Sequence, residues 1–311
     1  MPGTRPAPLV VGSVQLGLTY GAANRSGKPN LETALRLVRA AADAGITQFD
    51  RARAYGDAEA RLGQAFAGRN DVRTVTKLSP LSGLTEDAPI EAVHAAVDES
   101  VAASLAALRS VRLDCLLLHR ASHLTDFRGN VWRRLLEHQR QGTLESLGVS
   151  VQSPEEALAA LKIPEMRHMQ LPFNLFDWRW HEAGVIDALR ARGDVTVHAR
   201  SVFLQGILAA DDVSVWPAIK GVDTAYLVRW LRETALVFGR ESPAVLCLAF
   251  ARGQDWIDGV VIGMETEDQL ALNLRLSACR PLEPEDCTII EETRPRVSDT
   301  LLNPAKWPAK R

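Results

Sequence analysis

Apolar residues gather in eight short runs, and longer stretches of helical period lie between them. The runs APLVVGSV (7–14), ITQFD (46–50), VRTVTK (72–77), LDCLLLH (113–119), LESLGVS (144–150), MRHMQL (166–171), DVTVHA (194–199) and DGVVIG (258–263) read as strands. LETALRLVRAAADAG (31–45), closed by Gly45, and IEAVHAAVDESVAASLAALRS (90–110) read as helices. Ser153, Pro154 and Glu156 supply an N-cap, a first-turn proline and a capping-box acid at the head of another. Strand and helix in alternation predict a parallel sheet, because parallel neighbours need a crossover connection. Eight such units predict a closed (β/α)8 TIM barrel of the α/β class rather than an open sheet. After about residue 275 the alternation stops and the chain turns Pro-rich and polar, so the expectation is a barrel over 1–275 and a C-terminal extension over 276–311. No low-complexity linker, charge block or fixed-period repeat divides the chain.

Composition narrows the partners. With 46% hydrophobic residues, 24% charged residues and a net charge of −2, the chain has no global basic field for nucleic acid and no charge bias toward a membrane surface. Cys115, Cys247, Cys279 and Cys287 are scattered, with no CxxC pair and no His at metal-ligand spacing, which predicts free thiols in a reducing compartment and no metal site. No stretch approaches the roughly 20 apolar residues needed to span a bilayer, and no signal peptide is evident, so a cytoplasmic protein is expected.

Two phosphate motifs fail. GxGxxG is absent, which weighs against the dinucleotide turn of a doubly wound fold. GAANRSGKP (21–29) has five residues between Gly21 and Gly27, and Pro29 stands where a P-loop needs Ser or Thr. A dinucleotide, if one binds, must be held by another architecture.

The chemistry concentrates at strand ends. Asp50 closes the second run, Lys77 the third and His119 the fourth, while Tyr55 lies on the loop after Asp50. In a parallel barrel the C-terminal ends of all strands share one face, the face that carries reactive groups. A phenol is a poor acid at neutral pH, but a neighbouring ammonium favours its phenolate. Lys77 is costly to bury without a counter-ion, and Asp50 supplies one. Neutral His119 can hydrogen-bond a carbonyl and orient it toward the phenol. Taken singly, each residue has a structural explanation: a loop-capping Asp, a rim Tyr, a surface Lys, a buried His. Together they can deliver a proton to a developing alkoxide.

FDRARAYGDAEARLG (49–63) resembles the signature of the aldo-keto reductase superfamily through Phe49, Asp50, Ala52, Tyr55, Gly56, Glu59, Leu62 and Gly63. The resemblance continues in order through GVS (148–150), QLPFN (170–174), RSVFLQG (200–206) and GMETEDQLALN (263–273). It implies a TIM barrel that binds NAD(P)(H) in extended form without a Rossmann motif and reduces an aldehyde or ketone. Asp50, Tyr55, Lys77 and His119 would be its catalytic tetrad. Ser150 and Gln170 would hold the nicotinamide carboxamide. Gly12, Ser13, Ser201 and Gly206 would lie near ribose and pyrophosphate, with Gly263, Glu265, Gln269 and Asn273 toward the adenosine end.

Several positions depart from the family pattern. Arg51 replaces the usual Thr and sets a second cation beside Asp50, in competition with Lys77. Val151 stands where Asn is frequent, and Arg200 takes the place of the Tyr that stacks on the nicotinamide; a guanidinium plane can also stack. The stretch 263–273 lacks the Lys or Arg of NADP-binding members and carries Glu265, Glu267 and Asp268. Glu267 and Asp268 suit a helix N-terminus in any case. Glu265 can accept a bond from a free 2′-hydroxyl, so NAD(H) is expected over NADP(H). Tyr20, His123, Phe176, Trp178 and Trp307 are candidates to line a pocket for a small carbonyl substrate; Arg25, Lys28, Arg51, Arg53 and Arg120 would suit an anionic one. Relatives that bind reduced cofactor and control a protein partner, with little turnover, give a regulatory alternative. A metal-dependent barrel hydrolase would need several more His and carboxylate ligands at strand ends.

Overall fold

The computed structural model describes residues 6–22, 24–210 and 212–308. Eight parallel strands close into a barrel in chain order: β1 Leu9–Gly12, β2 Gln48–Asp50, β3 Arg73–Lys77, β4 Leu113–Leu118, β5 Leu144–Ser150, β6 His168–Pro172, β7 Thr196–Arg200 and β8 Gly259–Gly263. Each falls on one of the eight predicted runs, and β8 pairs back to β1 through Leu9 and Val260 to Gly12 and Gly263. The first run is trimmed at both ends because the ladder to β8 spans only four residue pairs.

The helices follow local chemistry. Asn30 caps Leu31–Asp43 by accepting from Thr33 N (2.9 Å), and Gly45 takes a left-handed turn at φ 91°. Ile90–Leu108 stops at Arg109, which adopts φ 54°. Ser153 Oγ accepts from Glu156 N at the head of Pro154–Leu161, and Glu156 Oε2 reaches back to Gln152 N (2.6 Å).

Two glycines of the 49–63 signature have steric reasons. Gly56 holds φ 58°, and a Cβ there would stand 2.5 Å from Gly17 O. A Cβ on Gly63 would stand 2.2 Å from Ala107 O, so the helix Ala58–Ala65 can lie close against Ile90–Leu108 only without one.

The main apolar core lies between the barrel and its helices. Inside the barrel a separate small cluster, Val75, Cys115 and Leu117, shares the floor with His168 and His198, whose rings meet edge to face at 4.2 Å. Beyond β8 the chain stays helical through Glu267–Ala278, Pro284–Thr293 and Asp299–Leu302. The terminal segment packs beside β6: Trp178 Nε1 donates to Val297 O (3.1 Å), Arg294 Nη1 to Leu175 O (3.2 Å), and Leu301 and Leu302 are fully buried. All four cysteines are unpaired, and among the described residues no helix is long and apolar enough to cross a membrane.

Candidate active site

Strand periodicity turns Asp50, Lys77, Gln170 and Arg200 toward the barrel axis at its C-terminal rim. Lys77 Nζ donates to Asp50 Oδ1 (2.6 Å), Asp50 Oδ2 (2.9 Å) and Arg51 O (3.1 Å). Gln170 Nε2 donates to the same Asp50 Oδ1 (2.8 Å). Lys77 and Asp50 are only 1% and 3% exposed, so their charges are matched inside the protein rather than by water.

Tyr55 sits above this pair. Lys77 Nζ lies 5.0 Å from its ring centroid, and the His119 ring meets it edge to face at 6.0 Å. Burial disfavours the Lys77 ammonium, but the Asp50 charge together with Tyr55 outweighs it and holds Lys77 above the ordinary lysine value. Burial first, and the Lys77 charge second, press His119 down to about 4. At neutral pH the rim therefore carries an ammonium below the phenol and an uncharged imidazole beside it. The four residues expected to act together are together.

A cavity of about 900 Å³ opens over them and runs to Asn273 and Leu276. Of the residues expected to hold a cofactor, Gly12, Ser150, Arg200, Ser201, Gly206, Gly263, Glu265, Gln269 and Asn273 line it. Ser13 and Gln170 stand behind the wall, both fully buried, Ser13 through its N–H to Asp50 O and Gln170 through its bond to Asp50. Gln170 Oε1 and Ser13 Oγ are buried without a protein partner. Gln269 Nε2 donates to Glu265 Oε1 (2.9 Å), and Asn273 Nδ2 to Gly263 O (3.3 Å). The loop after β7 is strained, with Ser201, Leu204 and Gln205 at φ 63°, 44° and 56°.

Other expectations separate. Tyr20 lines the cavity, its hydroxyl 3.4 Å from Gln205 Nε2 across the opening, and Arg120 lines it beside His119. Phe176 is buried against Trp230, and His123 is 3% exposed in a 3-10 turn away from the lining. Trp178 faces the terminal segment and a smaller cavity, and Trp307 donates to Leu301 O (2.9 Å). Trp180, wholly buried, donates to Pro172 O (2.7 Å). None of the aromatic residues after β6 lines the large cavity: Trp178 holds the tail, Phe176 packs on Trp230, and Trp180 ties its own segment to β6. Lys28 pairs with Asp57 (2.8 Å), Arg53 with Glu59 (2.6 Å), and Arg25 is exposed.

Arg51 does not compete for Asp50. Its side chain leaves β2 on the outer side, is 0% exposed, and none of its three guanidinium nitrogens has a hydrogen-bond partner. Burial lowers it to about 10, opposed by the charges of Glu59, Asp114 and Asp50.

The lining also includes residues not expected there from the sequence: Gln15, Gln152 and Gln205, and Glu156, expected only as a capping-box acid. Gln205 sits inside RSVFLQG, next to Gly206, and its position there was the one available signal. Gln15 approaches Gly263 so closely that a Cβ at that glycine would stand 2.2 Å from its Oε1.

The Aldo/keto reductase family model matches residues 8–295. No curated protein matches the chain. Among solved structures the chain is similar to aldo-keto reductase AKR11C1 from Bacillus halodurans in its holo form, with a TM-score of 0.76 and 21% identity over 94% of this chain and 93% of that one. It is also similar to two chains from Pseudomonas aeruginosa described as aldo-keto reductases, with TM-scores of 0.62 and 0.60 and identities of 22% and 24%, each over 89% of this chain and 91% of the other. At these identities the structural likeness speaks for the barrel; the family match, running through every strand and every residue of the rim cluster, makes this chain a member of the aldo/keto reductase family.

Proposed function

We propose that this oxidoreductase reduces the carbonyl of an aldehyde or ketone, with Tyr55 as proton donor. Aldo-keto reductases use NAD(P)H in general. The observation that carries the reading is a single one: Lys77, bonded to Asp50 on one side, stands 5.0 Å from the Tyr55 ring on the other. A carbonyl oxygen seated between Tyr55 and His119 takes the phenolic proton and a hydrogen bond from the neutral imidazole. Lys77 stabilises the phenolate left behind, Asp50 keeps Lys77 charged and in place, and Gln170 orients Asp50. The bound nicotinamide would supply hydride to the carbonyl carbon.

The residues suit such a cofactor. The elongated cavity would accommodate an extended dinucleotide, and Ser150 on its wall would meet the nicotinamide carboxamide, with Gln170, whose Oε1 has no protein partner, directly behind it. Gly12, Ser13, Ser201 and Gly206 would attend ribose and pyrophosphate, and Gly263, Gln269 and Asn273 the adenosine end. We infer NAD(H) over NADP(H). Among the described lining residues the cations are Arg120 and Arg200, both at the catalytic end, while Glu265 stands at the adenosine end. A free 2′-hydroxyl can donate to Glu265; a 2′-phosphate is repelled. Arg36, reaching toward this end from Leu31–Asp43, is engaged by Glu267 (2.7 Å).

Two measurements test this. Loss of NADH absorbance with a panel of aldehydes, ketones and quinones is expected; bound cofactor with no turnover on any carbonyl would overturn the reductase reading and favour a regulator. Fluorescence titration is expected to show tighter NADH than NADPH binding, and the reverse order would overturn the preference.

A further inference from the structure

Arg200 ends β7 on the cavity wall. Its Nη2 donates to Val151 O (3.1 Å) and Gln152 Oε1 (2.9 Å), which fixes the guanidinium against the segment leaving β5. Both acceptors are neutral. Glu156 lines the same cavity, but its Oε2 accepts from Gln152 N (2.6 Å), and Asp50 is taken by Lys77 and Gln170. Arg200 therefore brings to the cavity a positive charge with no carboxylate in contact, and a guanidinium stays protonated throughout the physiological range.

Val151 directly follows Ser150, the residue assigned above to the nicotinamide carboxamide. Ser150 and Arg200 line the same cavity and Arg200 is bonded to the residue after Ser150, so a ring held at Ser150 would lie beside the guanidinium. We propose that Arg200 makes the site selective for the redox state of the nicotinamide, favouring the neutral reduced ring and disfavouring the cationic oxidised ring. This rests on the cofactor reading above. A Tyr at the same place would act in the opposite sense, because the negative face of an aromatic ring attracts a cation. With Arg200 there, the oxidised form leaves readily, and the hydride equilibrium on the protein shifts toward reduced nicotinamide.

Two unit charges about 4 Å apart in a partly buried site interact strongly enough to change an equilibrium by more than about tenfold. A 2′-phosphate would lie at the adenosine end, and its contribution would cancel in a ratio taken within one cofactor pair. Calorimetric titration of the full chain with NADH and NAD+, or with the phosphorylated pair if that binds more tightly, is expected to give reduced cofactor at least about tenfold tighter. Arg200→Gln is expected to reduce that ratio by about tenfold, Arg200→Lys to retain most of it, and Arg200→Tyr to lower it further. An equal ratio in wild type and Arg200→Gln would overturn the proposal. If Arg200→Gln fails to fold, wild type alone decides: oxidised cofactor bound as tightly as reduced overturns it. Failure of either form to bind would overturn the cofactor reading as well, an outcome distinct from binding without discrimination.

Discussion

Asp50 and Arg51 are adjacent, both buried, and treated in opposite ways. Asp50 points into the barrel, where Lys77 and Gln170 supply three hydrogen bonds. Arg51 points out between strand and helix, where its guanidinium has none. Beside Arg51 the buried Glu59 is saturated by other residues: Thr76 Oγ1 (2.6 Å), Ser104 Oγ (2.9 Å) and Arg53 Nη1 (2.6 Å). The inner cluster touches the cavity and the outer one ties the helix Ala58–Ala65 to β3 and to Ile90–Leu108. One signature stretch thus encodes a candidate reaction site and its scaffold on the two sides of a single strand, and burial of charge alone does not tell them apart. What tells them apart is access to the cavity.

Substitutions can break that contrast. Lys77→Met leaves Asp50 buried without its counter-ion and should cost about 3–5 kcal/mol in urea unfolding. The double variant Asp50→Asn with Lys77→Met should recover that stability without recovering turnover, which separates chemistry from folding. Glu59→Ala strips partners from Arg53, Thr76 and Ser104 and should cost about 3 kcal/mol, while the folded fraction keeps its activity.

Protonation gives a smaller effect. Burial presses His198 down to about 4, and burial together with His198 holds His168 well below the ordinary value. An unfolded histidine titrates near 6.5, so below that pH the unfolded chain takes up protons that the folded chain refuses. Stability should be full above about pH 6.5 and fall toward pH 4, by about 2 kcal/mol at pH 5 for His198 alone. Urea unfolding at pH 7 and pH 5 checks this, with His198→Gln showing a smaller drop.

The smallest effect has an unusual sign. Arg51→Met removes a buried guanidinium with no hydrogen bonds and should be neutral or stabilising by about 1 kcal/mol in the same assay. A loss of several kcal/mol would show that Arg51 is compensated after all by the fields of Glu59 and Asp114.

The barrel was legible because parallel strands covered on both faces must be apolar runs and their crossovers must be helical. The rim cluster was legible because strand-end residues of a parallel barrel share one face. The direction of the Arg51 side chain, opposite to that of Asp50, could also have been read from period-two alternation. Trp178, Phe176 and His123 were not legible as packing residues. Trp178 is turned by its bond to Val297, Phe176 by its packing on Trp230, and His123 by the 3-10 turn after β4, none of which local periodicity contains. Gln15 and Gln152 reach the lining beside residues far along the chain, Gly263 and Arg200, whereas Glu156 is there through its local bond to Gln152 N.

The central claim is that Tyr55 gives up its proton with the help of Lys77. Its most direct test compares wild type with Tyr55→Phe for cofactor affinity and turnover on the same carbonyl. The account predicts unchanged affinity and a fall in turnover of about 10²–10⁴-fold. Turnover equal to wild type would contradict it.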